Sequence, residues 1–141
     1  MVEIPESAQA QFEEQEGPSA EHIAAVFQSY AERFSAADAA GVAALYAEDA
    51  VLRDPVTSPP VHGREAIRAW YQAAFDAMPM RMELEGAVRI AGNHAAAAMV
   101  VHTENQGQPL LVDTLDVMQF DRAGRIVAMD AYFGPSNYRA G

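Results

Sequence analysis

The segment LLVDTLDVMQF, residues 110–120, is mostly apolar and lies between two short connections that contain Gly107 and Gly124. Such a segment predicts a β-strand. Strict alternation places Asp116 on the face that also carries four apolar residues: Leu110, Val112, Met118 and Phe120. Either Asp116 reaches solvent at a strand edge or bulge, or it is a buried carboxyl that stays neutral. Keeping it neutral at pH 7 requires a pKa shift of about three units, or roughly 4 kcal/mol, which full burial can supply.

Further strand-like segments surround this one. We expect strands over about 80–90, 94–105, 109–121 and 125–133. Short connections that contain Gly92, Gly107 and Gly124 separate them, as in β-hairpins. The second half of the chain is therefore predicted to be an antiparallel meander.

The first half reads as helical. A helix is predicted from Ser19, a good N-cap, with Tyr30 on its apolar stripe. A second, short helix is predicted from Asp38, with Tyr46 on its inner face, and a third over 64–78, with Tyr71 in its stripe. Between the last two, a short strand over 50–52 is expected to end at Asp54.

These elements predict an α+β fold in one domain, residues 19–141. A curved, mostly antiparallel sheet with three N-terminal helices on its concave face would form a cone with an interior pocket. Residues 1–18 carry five glutamates and no positive charge, and they end in Gly17 and Pro18. This composition favours a disordered acidic tail, although part of it could pack as a short helix.

Composition excludes several classes of chemistry. The formal net charge is -11, and the basic residues are nine arginines with no lysine. Nucleic acid would therefore be repelled, and Schiff-base or P-loop lysine chemistry has no residue to perform it. The absence of cysteine excludes disulfides and thiolate sites. The four histidines lack the spacing of a metal motif, so no metal site is expected. No apolar run or leader indicates a membrane span or secretion, so a cytoplasmic location is expected.

The candidate functional residues are those that break the local pattern. Tyr30, Tyr46 and Tyr71 are ordinary core aromatics in the simplest interpretation. Three buried hydroxyls, however, each need a partner, and they could form a chain that ends at a ligand. Asp54 stands before a proline and could simply form a turn, or it could be an ionised general base at a pocket mouth.

Two segments carry a resemblance to a known family. Residues 46–65, YAEDAVLRDPVTSPPVHGRE, and residues 116–126, DVMQFDRAGRI, resemble the bacterial ketosteroid isomerases. The similarity covers roughly residues 20–138, and it implies the nuclear transport factor 2-like cone. By this resemblance, Asp54 matches the general base, and Tyr30 and a protonated Asp116 match the oxyanion hole.

The resemblance implies further properties. Tyr46 and Tyr71 match the tyrosines that extend the hydrogen-bond network behind Tyr30. It also implies a small-molecule steroid substrate, no cofactor, and a homodimer packed through the open sheet face. Six residues are candidates for the apolar pocket lining: Trp70, Phe75, Val88, Val101, Met118 and Phe133.

Two alternatives stay open on the same fold. One is a dehydratase or cyclase that acts on a polycyclic ketone, with Asp54 as base and His62 or His102 as acid. The other is a non-catalytic module that binds an apolar ligand or a partner protein. Arg53 departs from the family pattern, since a cation beside Asp54 would lower the pKa of that base. Adjacent strand residues point to opposite faces, so we expect the Arg53 side chain to point away from Asp54.

Overall fold

The computed structural model describes residues 2–12 and 17–141. No helix in these two ranges is long and apolar enough to cross a membrane. The elements, in chain order, are α1 (Glu6–Gln9), α2 (Ala20–Ser35), α3 (Ala39–Ala43), β1 (Tyr46–Arg53), β2 (Val61–His62), α4 (Arg64–Ala77), β3 (Arg81–Ala91), β4 (His94–Asn105), β5 (Gln108–Phe120), β6 (Ile126–Tyr132), a 3₁₀ turn (Pro135–Asn137) and β7 (Tyr138–Ala140).

The strands form one curved, open sheet in the order β2-β1-β6-β5-β4-β3, and β7 pairs with β5. The pairing of β1 with β6 is parallel, and the other pairings are antiparallel. The predicted α+β architecture with a cone-like sheet and a few helices is therefore confirmed. The long meander strands agree with the expected segments to within about two residues.

The helix starts follow local chemistry. The Ser19 hydroxyl accepts a hydrogen bond from the His22 amide at 3.1 Å and caps α2. Asp38 accepts from the Gly41 amide at 2.9 Å and caps α3 in the same way. Gly63 precedes α4 with φ of 89°, a conformation that only glycine adopts without strain. The Ser19 and Asp38 side chains each satisfy an amide that would otherwise lack a partner at the start of its helix.

The prediction for Tyr46 was wrong in its secondary structure. Tyr46 is the first residue of β1, and α3 ends at Ala43. The Ile126 amide donates to the Leu45 carbonyl at 2.9 Å, and Tyr46 is in register with Ile126 of β6. This long-range pairing takes the chain out of the helix. The first strand is therefore longer than the segment 50–52 expected from local pattern.

The N-terminal segment contains α1, whose residues are exposed or half-buried. This short helix is the alternative to disorder that the sequence left open for part of the tail. The prediction of a tail over 1–18 falls partly on residues 1 and 13–16, which lie outside the described ranges.

The core lies between the helices and one face of the sheet. The largest fully buried side chains include Phe27 of α2, Leu52 of β1, Ile67 of α4 and Phe120 of β5. None of these four side chains lines the cavity, whose wall includes residues of α2, α4, strands β3 to β7 and the segment after β1.

Candidate active site

A cavity of about 290 Å³ opens between the helices and the sheet. Its volume is close to the lower end of the range typical of small-molecule sites, about 300–1,000 Å³. Its wall is mostly apolar, with polar groups at the inner end and at the rim. Its lining residues include Tyr30, Phe34, Asp54, Trp70, Val101, Glu104, Thr114, Asp116, Phe133 and Tyr138.

The structure brings together the three residues predicted for catalysis. Tyr30 from α2, Asp54 from the end of β1 and Asp116 from the middle of β5 all line this one cavity. They are 24 and 62 residues apart in sequence, so only the tertiary fold can place them on a shared surface. Tyr46 and Tyr71 do not line the cavity but are fully buried behind it.

The three tyrosine hydroxyls form a chain. The hydroxyls of Tyr46 and Tyr71 are 2.7 Å apart, and those of Tyr71 and Tyr30 are 3.0 Å apart. Burial is the largest cause that raises the pKa of each phenol well above its usual value, so all three are neutral at physiological pH. If Tyr46 donates to Tyr71 and Tyr71 donates to Tyr30, the proton of Tyr30 is free to donate into the cavity.

Asp116 is a buried carboxyl, with 1% of its surface exposed. Burial, and then the charge of Asp54, raise the pKa of Asp116 well above its ordinary value, against a lowering by the hydrogen bond from Thr114. Its Oδ2 atom has no hydrogen-bond partner among the residues that the structure describes. The strand-edge interpretation of Asp116 is therefore wrong, because β5 lies inside the sheet between β4 and β6. A neutral carboxyl here is a hydrogen-bond donor at the cavity wall.

Asp54 is held between two attachments to β6. Arg53, just before it, is in register with Asp130, and the Val56 amide just after it donates to the Ala131 carbonyl at 2.7 Å. The carboxyl is half-buried, and desolvation by its surroundings raises its pKa to about 7. A carboxyl with this pKa is poised near physiological pH to take up or release a proton.

Arg53 points away from the base, as the alternation of strand residues predicts. Its guanidinium donates two hydrogen bonds of 2.7 Å to the carboxylate of Asp130. Burial alone accounts for the raised pKa of Asp54, and Arg53 does not oppose it. The departure from the family pattern therefore leaves the proton affinity of Asp54 intact.

Three of the six residues predicted for the apolar lining contact the cavity: Trp70, Val101 and Phe133. The other three are not among its lining residues. Phe75 packs its ring edge against Phe34, with centroids 5.1 Å apart. Met118 lies on the face of Asp116 but is 1% exposed within the core. Val88 lies inside the register shift of β3 between Glu85 and Arg89, which alternation cannot anticipate.

Sequence reasoning missed several lining residues. Phe34 lies one turn after Tyr30 on α2, and Thr114 lies two residues before Asp116 on β5, so helical and strand periodicity could have found both. Tyr138 reaches the cavity from β7, which pairs with Leu110 to Val112 of β5. No local pattern indicated that final strand.

The histidines considered as alternative acids lie elsewhere. His62 is exposed on β2, and His102 contacts Glu83 at 3.2 Å beside Arg81. Neither residue lines the cavity. Within residues 2–12 and 17–141, no group of three or more His, Cys, Asp or Glu side chains is placed to hold a metal ion.

The geometry suits one type of chemistry. A carboxyl with a pKa near 7 faces the same apolar space as two neutral oxygen donors. Such a set can remove a proton from carbon beside a carbonyl while the donors hold the developing oxyanion. Because the wall is apolar, the electrostatic effect of those donors is stronger than in water.

Comparisons with known proteins identify the family and the fold of this chain. The SnoaL-like domain matches residues 27–129. The steroid Delta-isomerase of Nocardioides simplex is 40% identical over 119 residues, which cover 84% of this chain and 94% of that protein.

The same fold is found in a solved structure of the epoxide hydrolase/cyclase-like enzyme SalBIII, which concerns its role in pyran ring formation in the polyether salinomycin. Its TM-score is 0.77 with 19% identity, covering 86% of this chain and 97% of that one. This likeness concerns the fold alone, whereas the sequence matches extend to the family. The chain therefore belongs to the SnoaL-like domain superfamily and, within it, to the steroid Δ-isomerase family.

Proposed function

We propose that this protein converts 3-oxo-Δ5-steroids to conjugated 3-oxo-Δ4-steroids by moving one proton from C4 to C6. Asp54 acts as the base, and Tyr30 and the neutral Asp116 form the oxyanion hole. The proposal rests on the family membership and on the cavity that these three side chains share. The same arrangement of donors in ketosteroid isomerase is an established example of a carboxylic acid kept neutral by its surroundings.

The observation that carries the proposal is the state of Asp116. Its Oδ2 is buried, has no protein partner in the described residues, and belongs to a carboxyl whose pKa is raised by burial. A buried polar atom without a hydrogen-bond partner destabilises the folded protein unless a ligand supplies the missing hydrogen bond. A ketone oxygen that becomes an enolate oxygen would accept the missing hydrogen bond, and it would do so most strongly in the transition state.

In the proposed reaction, the proton that leaves C4 is the one that is added at C6. Ionised Asp54 takes a proton from C4, and the C4–H electron pair moves into the dienolate, with negative charge on O3. Tyr30 and Asp116 donate hydrogen bonds to O3. The dienolate then takes the proton back from Asp54 at C6, which leaves the double bond in conjugation with the carbonyl. The steps consume no external oxidant, reductant or water, and the same carboxyl acts twice.

The deciding experiment is an absorbance assay for the conjugated enone, with 5-androstene-3,17-dione as substrate. Asp54→Asn should abolish turnover, and Asp116→Leu should lower kcat by about 10²–10³-fold, the usual effect of losing one oxyanion donor. Asp49→Asn, which removes an exposed carboxyl from β1, the strand that leads to Asp54, is the matched control. Folded protein that binds the steroid but shows no enone formation above buffer would refute the proposal.

The homodimer implied by the resemblance and the cytoplasmic location expected from the sequence composition both stay predictions. One feature supports the dimer: Leu115 and Tyr132 are register partners on β5 and β6, and they are 42% and 49% exposed. They lie on the sheet face opposite to Asp116. Light scattering of the wild type should give twice the chain mass, and Leu115→Arg should give a monomer; a monomeric wild type would contradict the dimer.

A further inference from the structure

Thr114 makes a direct contact with the carboxyl of the oxyanion hole. It lies two residues before Asp116 on β5, so both side chains lie on the same face of the sheet. The hydroxyl of Thr114 donates to Oδ1 of Asp116 at 3.2 Å. The two residues are 7% and 1% exposed, so the contact is sheltered from water.

The two oxygens of Asp116 are therefore not equivalent. Oδ1 has a donor, while Oδ2 has no partner among the described residues. In a neutral carboxyl, one oxygen is a carbonyl and the other carries the proton, and the carbonyl oxygen is the better acceptor. The hydroxyl of Thr114 consequently makes Oδ1 the carbonyl and leaves the proton on Oδ2.

We propose that Thr114 is a positioning residue that fixes the carboxyl of Asp116 so that the proton on Oδ2 is donated into the cavity. This inference rests on the proposed function for its catalytic consequence. Thr114 also lines the cavity, so its hydroxyl acts at the same wall as the group it orients. It is not a catalytic residue, because it acts through Asp116.

The choice of residue fits this role. On this face, Val112 and Met118, which flank the pair of Thr114 and Asp116, are apolar and buried, so the Thr114 hydroxyl has Asp116 as its polar neighbour along the strand. A threonine side chain on a strand has few accessible rotamers, which holds the hydroxyl in one direction. A hydrogen bond into the carbonyl oxygen also polarises the carboxyl and strengthens the other oxygen as a donor.

The same bond moves the pKa of Asp116 in the direction opposite to burial. Burial raises the pKa of Asp116, and the hydrogen bond from Thr114 lowers it. The carboxyl stays neutral because burial is the larger cause. Thr114 therefore orients the proton without removing it.

The test compares Thr114→Val with Thr114→Ser. Valine keeps the shape and deletes the hydroxyl, so kcat should fall about tenfold with little change in KM, because the bond matters most when charge develops on the substrate oxygen. Serine keeps the hydroxyl and should restore kcat to within about threefold of the wild type. An unchanged kcat in the valine variant, or a serine variant no better than valine, would overturn the proposal.

A double-mutant comparison distinguishes the orientation of Asp116 by Thr114 from a general packing role of Thr114. When Asp116→Leu is already present, Thr114→Val has no carboxyl to position and should change kcat by less than about twofold. If Thr114→Val costs as much in the leucine background as alone, its role is structural and the proposal fails.

An infrared measurement keeps this inference distinct from the isomerase proposal. The carbonyl band of the neutral Asp116 carboxyl, identified as the band that Asp116→Leu removes, should move to higher frequency in Thr114→Val. It should stay near its wild-type position in Thr114→Ser. This readout needs no turnover, so it holds even for a protein that fails the enone assay. A band that does not move in the valine variant would refute the contact.

Discussion

Replacing Asp54 with asparagine should stabilise the folded protein above pH 7 although it removes the proposed base. Burial raises the pKa of this carboxyl from its ordinary value of 3.8 to about 7. The folded state therefore binds the proton more tightly than the unfolded state between those two values. The stability that Asp54 contributes is fully present below its pKa in the unfolded state, and it is lost as the pH rises through its pKa in the folded state.

The size of the effect follows from this shift. Between the two pKa values, the free energy of unfolding falls by about 1.36 kcal/mol for each pH unit. From pH 5 to pH 8, the wild type should lose about 2.6 kcal/mol through Asp54, since the slope fades close to the folded pKa. Asp54 is half-buried, so solvent screens part of its charge, and we expect a measured loss of about 1.5–2.6 kcal/mol.

The assay is urea unfolding of the wild type and Asp54→Asn at pH 5 and pH 8. Contributions of titratable groups that do not interact with Asp54 cancel in the difference between the two proteins. The charge of Asp54 also raises the pKa of Asp116, so the measured difference includes that coupling. The wild type should also show kcat/KM rising with pH around an apparent pKa of about 7, because only the ionised carboxyl is a base. If the stability difference between wild type and variant is the same at both pH values, burial does not raise the pKa of Asp54, and the reasoning is refuted.

Three more predictions concern residues around the cavity. Tyr30→Phe should lower kcat by about 10²-fold in the enone assay. Tyr46→Phe should lower kcat by less than about tenfold, because the Tyr46 hydroxyl reaches the site only through Tyr71. Equal losses in the two variants would contradict this order of the three hydroxyls. Glu104→Gln should raise kcat/KM about threefold for a steroid with a carboxylate at C17, because Glu104 is at the rim and the described lining residues include no cation. A neutral 17-ketone substrate should show no such gain. Arg53→Ala should leave the pH profile of kcat/KM unchanged, since Arg53 pairs with Asp130, and a displaced profile would mean that its charge reaches the base.

The sequence predicted the fold well where one periodicity continued without interruption. The meander strands and the helices α2 and α4 have long, regular patterns, and a strand pattern within β5 also singled out Asp116. The secondary structure of Tyr46 could not be predicted in this way. Its spacing suits a helix face, and only the pairing with Ile126, eighty residues later, places it in a strand.

The candidate site was predictable in its polar members and less so in its walls. Asp54, Tyr30 and Asp116 break the surrounding pattern, whereas lining residues such as Phe34 resemble any other core aromatic. Strand alternation identifies the face on which Met118 lies, but not its depth along the cone. Which apolar residue meets a ligand depends on curvature and bulges of the sheet, and these are properties of the assembled fold.

The two carboxyls stand on parts of the backbone with different freedom. Asp116 is in the interior of β5, which is paired along its length with β4 and again with β6, while Asp54 is the first residue beyond the end of β1. Amide hydrogen exchange should therefore be slow around Asp116 and faster after Asp54. Under the proposed reaction, the acid that must hold one oxygen still sits on a strand that is paired on both sides. The carboxyl that must visit two carbons of the same ring system sits just past the last paired residue of its strand, and the Val56 amide ties the chain back to β6 two residues later.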